Sequence, residues 1–351
     1  MFRVIQWATG GVGRAAIEGV ISHPELELVG TWVHSDAKDG VDVGEIVGTG
    51  PIGVSATTSE EALLALDADC VYYSPVVADR PQLIRILESG KNVVTPLNWF
   101  YQGDRDWSDL EAACEKGNAT LHGTGINPGG ATERFPLVLS AVTREVRHVR
   151  IEEFSDILSY GAPDVVEHVM QFGKTPEEAK QSPMVRLMGD GFMQSIDMVA
   201  DELGFKLDPE KRVTHEVSGA SRPIDTPIGV IEPGLVAAQR FTWEGLVEGN
   251  PVITVRTNWF MGEEGFESGW SFGPKGPRYE IGIEGDPSFT ATFEGWHPHD
   301  AAAGLDRNPG VVTTAIHGVS AIPAVCRAAA GIKSYLDLPL VAGRAAPDLS
   351  R

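Results

Sequence analysis

Only three cysteines occur in the 351 residues, Cys70, Cys114 and Cys326, widely separated and odd in number. They can form neither a disulfide framework nor a knot of clustered thiols around a metal, and they suit small buried side chains in a reducing cytoplasm. Basic residues are scarce as well: 28 Lys plus Arg stand against 49 Asp plus Glu, a formal net charge of −21. Nucleic acid and anionic membrane both reward basic patches, so neither is expected as a partner. No uninterrupted apolar run approaches membrane-spanning length. Met1 leads straight into a strand, without the basic and apolar regions of a secretory leader. What remains is an ordinary globular balance, 42% hydrophobic and 22% charged, at a length that suits two joined domains.

The chain opens on the apolar strand Phe2-Arg-Val-Ile-Gln-Trp7. Ala8-Thr9-Gly10-Gly11-Val12-Gly13 follows, and then Ala16, Ile17, Val20 and Ile21 at helical spacing. Strand, glycine turn and helix form the arrangement that holds a dinucleotide diphosphate. Gly10 lets the backbone approach the phosphates, Gly13 lets helix and strand pack closely, and the positive end of the helix faces the anion. Thr9, Gly10, Gly11, Val12 and Gly13 are therefore candidate coenzyme residues. Ala8 departs from the glycine that usually opens this fingerprint.

Strands and helices go on alternating: Leu26–Val33, Ile52–Ser55, a helix started by the capping box Thr58-Ser-Glu-Glu61, then Asp69–Tyr73, Pro81–Ser89, Asn92–Thr95, a helix capped by Ser108-Asp-Leu-Glu111, and Ala119–His122. That rhythm predicts an α/β fold with a doubly wound parallel sheet over residues 1–145. Ligands bind at the carboxyl ends of such strands, where His34, Ser74, Asn98 and Asn127 fall. Beyond residue 145 the texture changes to alternating-polarity strands, among them Arg147–Phe154, Arg278–Glu284 and Phe289–Phe293, with helices near Pro163–Phe172 and Met188–Leu203. We expect an α+β substrate and dimerisation domain with a mixed or antiparallel sheet over 146–305, then a C-terminal helix and tail over 306–351 returning to the first domain.

The end of the second strand bears on the choice of nucleotide. Val33 stands where a ribose-binding acid is usual, and His34, Ser35 and Lys38 offer donors and positive charge to a 2′-phosphate, which favours NADP. The alternative is NAD, with Asp36 as the ribose ligand. Ser74-Pro75 and Asn127-Pro128-Gly129 are placed to flank the nicotinamide, although Asn-Pro-Gly is also an ordinary turn. His297-Pro-His299-Asp300 lacks a third spaced ligand, so no metal site is expected.

The N-terminal half resembles the dihydrodipicolinate reductase-type Rossmann domain, through the glycine turn, Leu28-Val-Gly30, Tyr73-Ser-Pro75 and Val93-Val-Thr-Pro96. The reductases' His-His-x-x-Lys signature has no counterpart in Glu152–Tyr160, so their activity is not implied. A fuller resemblance is to the 2,4-diaminopentanoate dehydrogenase and native amine dehydrogenase group. It rests on Gly123-Thr-Gly-Ile-Asn-Pro-Gly129, His34-Ser35, Gly285-Asp-Pro-Ser288 and Ala321-Ile-Pro-Ala-Val-Cys326. It implies NAD(P)H-dependent reductive amination of a ketone or aldehyde with ammonia, reversible as oxidative deamination, in a homodimer.

In that group a glutamate that handles the ammonia proton is expected after the fifth strand, where this chain has Asn98. An amide can hydrogen-bond ammonia but cannot take its proton. Asp104, Glu133 and Asp156 are the carboxylates that could do so. Asn98, Asn127, Tyr160 and His168 are the candidate catalytic positions, with His317 a second candidate shuttle; a lone His on a helix is more often structural. Trp99, Phe100, Tyr101, Phe154, Met170 and Phe172 could line an apolar pocket, or simply be core. Two rivals stand beside amination: an imine or carbonyl reductase that uses no free ammonia, and a non-catalytic dinucleotide sensor.

Overall fold

The computed structural model describes residues 1–160, 163–182, 184–273, 276–294, 308–345 and 349. Two compact units divide the chain, one of Met1–Gly130 with Gly310–Arg351 and one of Ala131–Pro309.

The first unit opens β1(Phe2–Trp7), α1(Gly11–Ser22), β2(Leu26–Trp32), α2(Val43–Val47), β3(Ala56–Thr57) and α3(Glu60–Leu64). It continues through β4(Cys70–Tyr73), α4(Arg80–Glu88), β5(Asn92–Thr95), α5(Ser108–Gly117) and β6(Thr120–Gly123). The second unit holds α6(Phe135–Ser140), β7(His148–Asp156), α7(Pro176–Gln181), α8(Met184–Leu203), β8(Arg212–Gly219), β9(Ile224–Thr226) and β10(Gly229–Ile231), then β11(Val236–Val247), β12(Asn250–Phe260), β13(Arg278–Glu284) and β14(Phe289–Phe293). The chain returns to the first unit through α9(Pro309–Arg327) and β15(Gly331–Ile332).

In the first unit the strands form one parallel sheet in the order β15-β6-β5-β4-β1-β2-β3. Each central strand is apolar on both faces, as a sheet covered on both sides requires. Val4, Tyr72 and Val94 pack under α1 and α9 with Ile17, Val20, Val319 and Ile322. Their neighbours Ile5, Val71, Tyr73 and Val93 pack under α4 and α5 with Leu83, Ile86 and Leu110. α9 is the one described helix long and apolar enough to span a membrane; its Ala315, Val319, Ile322 and Val325 belong to this core.

The second unit is built on a six-stranded sheet, β14-β13-β7-β12-β11-β8, antiparallel except where β12 runs parallel to β7. Its odd-numbered residues Ile151, Phe241, Trp243, Val255 and Ile281 share a core with Phe192, Ile196 and Val199 of α8. Even-numbered Arg150, Glu152, Arg256 and Glu280 lie on the opposite face, linked by ion pairs of 2.6–3.4 Å. The unit begins at Ala131, earlier than the change of texture near 145, because Phe135 of α6 stacks on Phe293 of β14 at 5.1 Å.

Three local expectations are corrected. Ser59, not Thr58, caps α3, since its hydroxyl accepts from the Ala62 N–H at 3.2 Å. No side chain caps α5, which starts after Trp107. The helix expected over 163–172 is a π turn at Val165–Val169, closed by the Met170 N–H to the Val165 carbonyl and ended by positive φ at Gln171 and Gly173.

Candidate active site

The glycine turn is built as its residue types require. Gly10 is extended and opens α1 without a side-chain cap, so the first-turn N–H groups are presented outward. A Cβ at Gly13 would strike the Ala8 carbonyl oxygen, whereas one at Gly10 would meet nothing within 4 Å. The close helix–strand contact thus falls at Gly13 and the open space at Gly10, which is the cradle a diphosphate needs. Ala8 itself adopts φ 77°.

Polar side chains brace this turn. The fully buried Gln6 carboxamide donates to the Ala8 carbonyl (2.9 Å), the Trp7 carbonyl (3.2 Å) and Ser74 Oγ (2.9 Å). It therefore ties the glycine turn to the Ser74-Pro75 loop. Lys38 donates to Thr9 Oγ1 at 3.1 Å and links the end of β2 to the same turn. His34 and Ser35 are exposed beside it, and His34 lies 6.1 Å from the Trp32 ring, which stacks on Trp7. Sequence reasoning missed Gln6, whose signal was a lone amide inside an apolar strand.

The turns after β5 and β6 are brought together. A Cβ at Gly123 would collide with the Asn98 carbonyl and the Trp99 backbone. Asn98 is half-buried and accepts from the Trp99 N–H at 2.8 Å, with Trp99 at φ 62°. The Asn127–Pro128 bond is cis, and Gly129, at φ 128°, lies against Gly125 too closely for any side chain. Behind this turn, Thr124 Oγ1 is hydrogen-bonded to Tyr335 Oη, which meets His317 Nε2 at 2.7 Å. His317 is thus anchored, and Tyr335, over two hundred residues away in sequence, was not foreseen.

In the second unit, burial with Glu153 nearby holds the Tyr160 phenol above its usual range. Glu153 accepts from Ser155 Oγ (2.6 Å) and Trp259 Nε1 (3.2 Å). His168 is exposed, 4.0 Å from Glu167. Of the candidate carboxylates, Asp104 is exposed, and Asp156 accepts from the Leu158 and Gly262 N–H groups. Glu133 is fully buried in a π turn over Gly130–Arg134. Its Oε1 accepts from Ser195 Oγ at 2.6 Å, while its buried Oε2 has no partner. Desolvation pushes this carboxyl up to about 8, against the smaller opposing effect of the Ser195 hydroxyl. Trp99 and Phe100 are buried in the first unit, and Phe154, Met170 and Phe172 in the core of the second. His297, His299 and Asp300 lie outside the described residues, among which no group of three His, Cys, Asp or Glu is placed to hold a metal.

An amine dehydrogenase of Streptomyces virginiae is 30% identical over 355 residues, 97% of each chain. The chain belongs to the amine dehydrogenase family. The family model for the 2,4-diaminopentanoate dehydrogenase C-terminal domain matches residues 133–269 of this family member. The solved amine dehydrogenase of Mycobacterium smegmatis shares the fold, with a TM-score of 0.78 at 20% identity over 98% of this chain and 97% of its own. A 4-hydroxy-tetrahydrodipicolinate reductase of Synechococcus elongatus is 40% identical over a shorter stretch of 76 residues, 22% of this chain and 28% of the reductase.

Proposed function

We propose that the protein is an NAD(P)-dependent amine dehydrogenase, which converts a ketone or aldehyde and ammonia into a primary amine and also runs the reverse oxidative deamination. The observation that carries this reading is a turn shaped for a diphosphate in a chain similar over 97% of its length to an amine dehydrogenase. When bound, the coenzyme supplies the hydride that reduces the substrate carbon. Thr9, Gly10, Gly11, Val12 and Gly13, with the N-terminus of α1, hold the diphosphate. His34, Ser35 and Lys38 receive the 2′-phosphate, so NADP is preferred to NAD. Ser74, Pro75, Asn127, Pro128 and Gly129 contact the nicotinamide. Asn98 and Asn127 orient the reacting nitrogen through hydrogen bonds, and Tyr160 offers a neutral phenol to the substrate.

The enzyme works as a homodimer in the cytoplasm. Cys70, Cys114 and Cys326 are free thiols, which suits a reducing compartment. The decisive experiment runs a panel of ketones and aldehydes with NADPH, with and without ammonium. Amine formation that depends on ammonium is the expected result. Alcohol formed without ammonium overturns the reading in favour of a carbonyl reductase, and coenzyme binding without turnover on any substrate overturns it in favour of a sensor.

A further inference from the structure

Amination has a proton problem that the amides of this site cannot solve. Ammonium is not a nucleophile until it loses a proton, and the hydroxyl of the carbinolamine leaves only when it gains one. One group that accepts and then returns a proton near neutral pH serves both steps. Other described carboxylates of the second unit are engaged: Asp156 by two backbone N–H groups, Glu153 by Ser155 and Trp259, Glu167 by Lys174. Glu133 differs. It is wholly buried, its one hydrogen bond comes from the neutral Ser195, and its second oxygen is closed off without a partner. It sits in a π turn, a backbone form that recurs at functional sites, and it follows Gly129 of the coenzyme turn by four residues. A buried acceptor oxygen with no donor carries a desolvation cost that an ammonium N–H would offset.

We propose that Glu133 is the carboxyl that binds ammonium and moves its proton, with Ser195 as its positioning residue. The inference rests on the amination reading. Ionised Glu133 takes a proton from ammonium, and the freed ammonia forms a C–N bond to the carbonyl carbon. The acid then returns that proton to the carbinolamine hydroxyl, which departs as water, and the resulting iminium accepts the hydride. Carbonyl compound, ammonium and reduced coenzyme become neutral amine, water and oxidised coenzyme.

The test uses the full-length protein carrying Glu133→Gln, Glu133→Asp or Ser195→Ala. Glu133→Gln is expected to lower kcat for amination by about 100-fold or more, with coenzyme Kd unchanged and partial recovery in Glu133→Asp. Ser195 holds the carboxyl down, so Ser195→Ala should move the acidic limb of the kcat/KM profile to higher pH. A merely structural serine would leave that limb in place. A second readout needs no turnover: ammonium chloride should raise Tm over sodium chloride at equal ionic strength in the parent, and not in Glu133→Gln. Parental amination by folded Glu133→Gln overturns the proposal while leaving the amination reading intact. If the parent aminates nothing, the reading fails instead. The proposal then stands or falls on ammonium protection, and falls if Glu133→Gln keeps it. If Glu133→Gln does not fold, an unmoved limb in Ser195→Ala overturns it.

Discussion

Ala8 occupies the left-handed region at φ 77°, at the position where glycine usually opens the dinucleotide fingerprint. An L-residue there costs about 1–2 kcal/mol, and Gln6 and the β1–α1 connection hold it in place. Glycine would remove that strain, at a cost of roughly 0.5–1 kcal/mol in chain entropy. Ala8→Gly should therefore stabilise the protein by about 0.5–1 kcal/mol, seen as a higher denaturant midpoint at unchanged slope; a lower midpoint would refute the strain argument. At this scale the sequence was readable wherever sterics dictate residue type. Gly13 is glycine because nothing larger fits against Ala8, and that need is visible in the motif itself. Gln6 and Tyr335 were not readable, since their roles depend on partners at Ser74, Thr124 and His317 that only folding brings near. Glu133 was legible as a carboxylate but not as a buried one, because nothing adjacent in the chain reports its contact with Ser195.

At the scale of elements, strands declared themselves best where one face is buried and the other polar. β13 and β14 begin and end as their alternation predicts. The π turns at 130–134 and 165–169 did not, because apolar spacing cannot distinguish a five-residue repeat from an ordinary helical one. The segment after β2 is a short 3-10 turn, Asp36–Lys38, which carries Lys38 back to Thr9. That return is what an isolated loop lysine would lack, and it is what the proposed 2′-phosphate site draws on. A charge-assisted hydrogen bond to phosphate contributes enough that its loss weakens binding about tenfold or more. Lys38→Met should raise the Kd for NADP by that factor and leave the Kd for NAD within about twofold. Titration calorimetry with both nucleotides checks this, and equal losses for the two would assign Lys38 to the diphosphate turn instead.

The whole molecule is strongly acidic, yet one face of the second unit is nearly balanced. Registers across β8, β11, β12, β7 and β13 place Arg150, Arg212, Arg240, Arg256 and Arg278 on one face with Glu152, Glu216, Glu244 and Glu280. On a chain of net charge −21, that near-balance would lower the repulsion a second copy meets there. A two-fold axis through it would set alternating arginines and glutamates of one subunit against those of the other, the self-complementarity an isologous contact needs. Reversing Arg150 and Arg256 to Glu turns the balanced face acidic. If the proposed homodimer forms through this face, the double variant raises its dissociation constant by at least about tenfold, measured by sedimentation at several concentrations. Part of that loss should return at high salt, as like charges are screened. A parent that sediments as a monomer at micromolar concentration, or a double variant that dimerises as the parent does, would remove the sheet face from the interface.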